Sequence, residues 1–184
     1  MSFARNHRWL AARCGTALAL ALLAASPSAR AQATSWLYVG GGAGVVDQGE
    51  QETRSTVQLD TGLGTSAEHA LVAGGIFRVQ GYLGAGADLG VAARLVTRGF
   101  AIGGFGAGID AGVYQRWWGT ESTGFTGNLV LGAPWGITLL GGTSIGSGDQ
   151  RVYFASLGID LARLTVHRHS GLDWFANPMR SPGE

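Results

Sequence analysis

From residue 57 to residue 161 the side chains alternate in character with period two, and the phase does not change along the way. Odd positions read Val57, Leu59, Thr61, Leu63 against Gln58, Asp60, Gly62, Gly64. The set Leu71, Ala73, Gly75, Phe77, Val79 faces an even set that ends at Arg78 but also holds Val72 and Ile76, so this segment is the least polarised. Leu83 to Ala93 opposes Tyr82, Asp88 and Arg94, and Ala101 to Val113 opposes Asp110, Tyr114 and Arg116. Phe125, Leu129, Leu131 oppose Thr126 and Asn128; Ile137, Leu139, Ile145 oppose Thr138 and Ser144; Tyr153 to Leu161 opposes Ser156 and Asp160. With the run "SWLYVGGGAGVV" the chain offers eight strands.

Helices are the poor alternative. The chain has 32 glycines in 184 residues, far above the usual ~7%, and each costs about 1 kcal/mol relative to Ala inside a helix. Within the alternating segments the odd face carries no charge, whereas the even face holds Asp60, Asp88, Asp110, Asp160, Arg78, Arg94 and Arg116. A half-exposed sheet in water also alternates, but its polar face would be rich in Lys, Glu and Thr rather than in Gly with rare charges. The expected fold is therefore an all-β, closed, antiparallel up-and-down transmembrane barrel of about eight strands, odd side chains toward lipid and even ones toward a confined interior just wide enough for side chains. A carboxylate confined there is costly unless paired. Asp60, Arg78, Asp88, Arg94, Asp110, Tyr114, Arg116 and Asp160 are thus expected to form a structural polar network, with Asp110 beside Arg116, and Asp60 beside Arg54 or Arg78, as candidate neighbours.

The N-terminus bears on the compartment. Arg5, Arg8 and Arg13 precede "GTALALALLAA", and "SPSARAQA" follows. A charged start, a short apolar core and an A-x-A ending describe a signal peptide over residues 1–31, with cleavage possible to 33; the core is too short for a spanning helix of about 20 residues. Residues 34–166 form the barrel and 167–184 a C-terminal periplasmic tail. Cleavage removes Cys14, excluding thiol chemistry and disulfides. It also removes four arginines, leaving nine against twelve acidic residues, 9 − 12 = −3, which argues against a nucleic-acid partner.

The connections divide into two sets. "GTSAEH", "VTRG" and "APWG" fall on the periplasmic side, while "DQGEQETRS", "WGTEST", "GSGDQ" and a very tight turn at Gln80 and Gly81 fall outside. Short periplasmic turns with longer outer loops are the layout of outer-membrane barrels. Trp36 and Trp135 are expected at the periplasmic rim, and Trp117, Trp118 and Tyr153 near the outer rim, as membrane-interface aromatics.

In signal peptide, eight alternating segments and inward charges the chain resembles the small eight-stranded bacterial outer-membrane proteins, of the kind seen in the membrane domain of outer membrane protein A and in outer membrane protein X. The resemblance is one of architecture and covers nearly all of the region after the leader. It departs at the end: such proteins commonly finish with an aromatic residue on the last strand, and here "HRHSGLDWFANPMRSPGE" follows Val166.

Other chemistry is weaker. His167, His169 and Ser170, with Glu68 or Asp173 as an orienting acid, are loosely similar to the H-x-S-N pattern of lipid A deacylases, but here His169 abuts Ser170 and no Asn follows; exposed polar residues are the favoured reading. Two histidines without a third ligand make no metal site. "GLGTSA" matches a dinucleotide pattern only by its glycines, and the loop with Asp47, Glu50 and Glu52 reads as solvated. The expected protein is a non-enzymatic bacterial outer-membrane barrel with a structural or surface-interaction role, in contact with outer-membrane lipids and lipopolysaccharide and using no cofactor. The alternatives are a lipid-modifying hydrolase using the His167 to Ser170 region, and a secreted soluble carrier in which the apolar parity points inward.

Overall fold

The alternating segments form β1 (Ala33–Asp47), β2 (Gln51–Ser66), β3 (Leu71–Tyr82), β4 (Gly86–Thr97), β5 (Gly106–Arg116), β6 (Ser122–Gly132), β7 (Ile137–Gly146) and β8 (Arg151–Asp160). Two short helices, α1 (Arg98–Ala101) and α2 (Leu161–Val166), and a 3-10 turn at Pro134–Gly136 complete the elements. The computed structural model describes residues 33–47, 49, 51–119, 121–147 and 150–166. The strands pair in sequence order, each antiparallel to the next, and β8 closes on β1.

The register explains why one parity holds round the whole wall. Trp36 pairs with Gly62, then in turn Ile76, Ala92, Gly112, Thr126, Ser144, Val152 and Val46. Every residue on that path is even-numbered, and the path returns to β1 ten residues further along, at Val46 instead of Trp36. Even numbers therefore face even numbers at each ladder, the one irregularity being a shift between Ala33 and Thr34. Such a stagger over eight strands tilts them by roughly 40° to the barrel axis.

Even-numbered side chains fill the interior. On the strands every exposed large apolar residue has an odd number, from Leu37 and Val39 on β1 to Leu157 and Ile159 on β8. Toward the end where β1 starts and β8 stops, the terminal end, the interior is largely apolar, with Val72, Val96, Val130, Leu140 and Phe100 each at most 1% exposed. Toward the opposite, hairpin end polar residues enter it, with Gln58, Gln80, Asp88 and Arg116 all buried beside a smaller apolar cluster of Val46, Tyr82 and Val152.

Several connections depart from the sequence reading. The third hairpin connection is Leu83–Ala85, not a turn at Gln80 and Gly81, and β3 runs on to Tyr82, which pairs with Gly86. A two-residue turn would set Val79 against Tyr82, odd against even, and reverse the parity. The strand expected from Ala101 begins at Gly106. The preceding segment turns into α1, where Thr97 Oγ1 accepts hydrogen bonds from Phe100 N at 3.4 Å and Ala107 N at 3.2 Å, a side-chain cap that favours a helical turn over a strand. The last strand ends at Asp160, where the chain coils into α2. Longer loops were expected at the hairpin end, yet three, three, five and four residues join the strands there, and the longest connection is the eight residues between Thr97 and Gly106 at the terminal end.

Candidate functional site: the charged interior

Four charged residues on four consecutive strands meet in mid-barrel. The register sets Asp60 opposite Arg78 and Arg94 opposite Asp110. Arg78 donates from Nε to Asp60 Oδ1 at 2.8 Å and from Nη2 to Asp60 Oδ2 and Asp110 Oδ2, each at 2.7 Å. Arg94 donates from Nε to Asp110 Oδ1 at 2.7 Å, and from Nη2 to Asp110 Oδ2 at 2.9 Å and Asp60 Oδ2 at 3.2 Å. Gln58 Nε2 adds a bond to Asp60 Oδ1 at 2.9 Å. Two guanidinium forks thus grip two carboxylates, the geometry in which charge-assisted bonds are strongest, and the quartet is neutral. Asp60 and Arg78 are the neighbours anticipated above; Asp110 and Arg116 are not, because both lie on β5 and Asp110 turns to Arg94 and Arg78. Arg54 pairs instead with Glu52 at 2.5 Å, near the hairpin end.

A second pair lies nearer the hairpin end. Arg116 donates from Nε to Asp88 Oδ1 at 2.9 Å and from Nη2 to Oδ2 at 2.6 Å. Trp118 Nε1 reaches the same Oδ1 at 3.0 Å, and its ring lies 4.6 Å from the Arg116 guanidinium. The rings of Tyr82 and Tyr114 are each 5.6 Å from that guanidinium. A buried cation boxed by aromatic faces gains from their quadrupoles. Above Trp118 opens a cavity of about 270 Å³, lined by Val46, Glu52, Arg54, Gly84, Ala85, Trp118 and Gly119.

A third arrangement closes the terminal end. Asp160 Oδ1 accepts from Leu37 N at 3.0 Å, Ala162 N at 3.1 Å and Arg163 N at 3.3 Å, capping the first turn of α2. The capped turn aims Arg163 inward, where all five of its N–H groups are used. Nε donates to Phe100 O at 2.9 Å; Nη1 to Ile137 O at 3.2 Å and Thr138 Oγ1 at 2.9 Å; Nη2 to Gly104 O at 2.8 Å and Ala133 O at 3.2 Å. Burial draws its ionisation below the ordinary arginine value, with Asp160 opposing. Sequence reasoning gave Arg163 no role, because α2 breaks the period-two pattern that selected the other charges.

The aromatics divide by parity. Trp117, Trp135 and Tyr153 are exposed on the outside, at 56%, 64% and 52%. Trp36 and Trp118, expected with them at the rims, are turned inward. Trp36 is 1% exposed and lies 5.4 Å from the Arg94 guanidinium, and Trp118 covers the Asp88 and Arg116 pair. Both have even numbers, the signal that could have placed them inside. Tyr38, also even-numbered, bonds Ser156 Oγ at 2.7 Å across the β1 and β8 seam.

His167, His169, Ser170 and Asp173 lie outside the described residues, and Glu68 is exposed in the connection after β2. Among the described residues no group of three or more His, Cys, Asp or Glu is placed to hold a metal ion. No protein-family model, curated protein or solved structure matches the chain. The charges of the quartet and of the Asp88 and Arg116 pair are matched carboxylate to guanidinium, so these two arrangements cross-link strands.

Proposed function

We propose that this chain is an integral protein of the bacterial outer membrane, exported by a cleaved signal peptide, with a structural role and no enzymatic activity. One observation carries the reading: large apolar side chains are exposed on every strand of a closed wall, while the charges between its strand ends, Asp60, Arg78, Asp88, Arg94 and Asp110, are buried inside. In water such a continuous apolar surface is an association hazard; in a bilayer it is the solvated face. A soluble carrier would need the opposite parity. The short connections at the hairpin end favour structural work in the wall over capture by long surface loops, and the contacts then made are with outer-membrane lipids and lipopolysaccharide.

The test is extraction and labelling. The protein should leave the outer-membrane fraction only with detergent and migrate as a compact species until boiled. A tryptophan placed at Val91 should be quenched by lipids brominated deep in their chains. Release as a soluble monomer without detergent would overturn the proposal.

A further inference from the structure

We propose that the interior is a one-ended vestibule that admits water and small neutral polar solutes from the hairpin end as far as the quartet of Asp60, Arg78, Arg94 and Asp110, while the terminal end is kept shut by an apolar septum and the Arg163 clamp. The polar atoms between mouth and quartet carry the first half. Among the described residues none supplies a hydrogen-bond partner to Thr56 Oγ1, Gln58 Oε1, Gln80 Nε2, Tyr114 OH or Arg116 Nη1, although each of these residues is at least 95% buried. Buried polar atoms in native proteins are bonded to protein or to ordered water. Along β2 the positions run Thr56, Gln58, Asp60, and along β3 Gln80, Arg78, while on β5 Tyr114 and Arg116 follow Asp110, so all five residues lie between the hairpin end and the quartet. Trp118 stands at the head of this run, between the mouth cavity and Arg116.

The chemistry fixes the class of solute. The quartet is neutral, and so is the pair of Asp88 with Arg116, leaving no net charge to draw an ion. The unpartnered atoms include donors (Arg116 Nη1, Gln80 Nε2) and acceptors (Gln58 Oε1), the mixture that water or a small polyol satisfies. Beyond the quartet the unpartnered atoms thin to Trp36 Nε1 and Asp160 Oδ2, and large apolar side chains take over. Val72, Val96, Val130 and Leu140 are at most 1% exposed and offer no hydrogen bond, and behind them Arg163 ties the connections after β4 and β6 to the helix after β8 with every donor spent.

Single cysteines test this in the full chain with Cys14→Ser, using the folded, heat-modifiable species in micelles and the small neutral reagent methyl methanethiolsulfonate. Thr56→Cys should react about tenfold or more faster than Val130→Cys, and Trp118→Ala should raise the rate at Thr56→Cys further. Arg163→Ala should raise the rate at Val130→Cys about tenfold and leave Thr56→Cys unchanged; if that variant does not fold, Arg163→Lys, with three donors for five acceptors, should shift the same site in the same direction. A Thr56→Cys as slow as Val130→Cys would mean a dry interior, and equal fast rates would mean an open channel. Protection of Val130→Cys that survives loss of the clamp would deny Arg163 its part. Each of these results overturns the proposal. The vestibule does not rest on the membrane reading, because the comparison is made in micelles; detergent-free solubility would sink that reading and leave these rates to be judged alone.

Discussion

Arg94 and Asp110 face each other across the β4 and β5 ladder and share two hydrogen bonds, Nε to Oδ1 at 2.7 Å and Nη2 to Oδ2 at 2.9 Å. Removing either partner strands a buried charge among the remaining three. Arg94→Met or Asp110→Leu alone is expected to destabilise the barrel by about 3–5 kcal/mol. The double variant keeps Asp60 with Arg78 and restores neutrality, so it should lose clearly less than the two single losses combined. Denaturant unfolding followed by tryptophan fluorescence in micelles measures all three, and additive losses would show that the quartet does not act as a unit.

The glycines separate by what lies beside them. A Cβ at Gly132 would sit 2.6 Å from both Arg163 Nη2 and Phe100 Cδ2, and the clamped guanidinium cannot swing away without breaking its bonds. Gly132→Ala should therefore cost about 1–3 kcal/mol, as overpacking does. At Gly75 and Gly127, which face outward, a Cβ would meet nothing within 4 Å. There Ala should be neutral or stabilising by about 0.5–1 kcal/mol, through reduced freedom of the unfolded chain. The same unfolding assay orders the three variants.

Much of this architecture was legible because from Thr34 onward the register does not break the numbering. One rule, even inside and odd outside, places Asp60, Arg78, Asp88, Arg94, Asp110, Tyr114, Arg116 and Asp160 in the interior. Applied to Trp36 and Trp118 the rule gives their true positions, whereas an aromatic's preference for rims misplaces them; packing against Arg94 and Arg116 outweighs that preference. Ion-pair partners were only partly within reach, since they depend on stagger between strands: the sequence leaves Asp60 between Arg54 and Arg78 and offers Asp110 the arginine six positions on, Arg116, yet Arg94, sixteen positions away, is the residue opposite. The α1 segment hides inside an apparently continuous alternation, and only the Thr97 cap and the connection to Gly106 reveal it. Arg163 was invisible because helical geometry, not strand parity, aims it.

Trp135 is the one described non-glycine residue with a positive φ, at 61°. A bulky side chain in the left-handed region is strained, and the turn is held by Ala133 N donating to Ile137 O at 2.8 Å, with Arg163 bonding both carbonyls that flank it. Its indole is mostly outside, so little packing is lost on truncation. Trp135→Gly should raise stability in micelles by about 1–2 kcal/mol by removing the backbone strain. In bilayers that gain should shrink or reverse, because a rim tryptophan contributes at the headgroup level. An equal gain in both media would show that the indole does no work at the membrane surface.

A charge on the outer wall separates a bilayer from water most directly. Val91 is exposed in the middle of β4, between Phe77 and Val113 on the neighbouring strands. On a water-facing wall Val91→Arg would be a surface substitution within about 0.5 kcal/mol of neutral. Facing hydrocarbon, it should destabilise by about 2–4 kcal/mol near the midplane. Gln51→Arg, at the hairpin-end tip of β2 where the outward positions Thr53 and Ser55 are already polar, should cost no more than about 1 kcal/mol. The difference between the two variants, measured by reversible unfolding from lipid bilayers, reports depth and not charge alone. If Val91→Arg and Gln51→Arg behave alike, the odd-numbered wall does not face lipid.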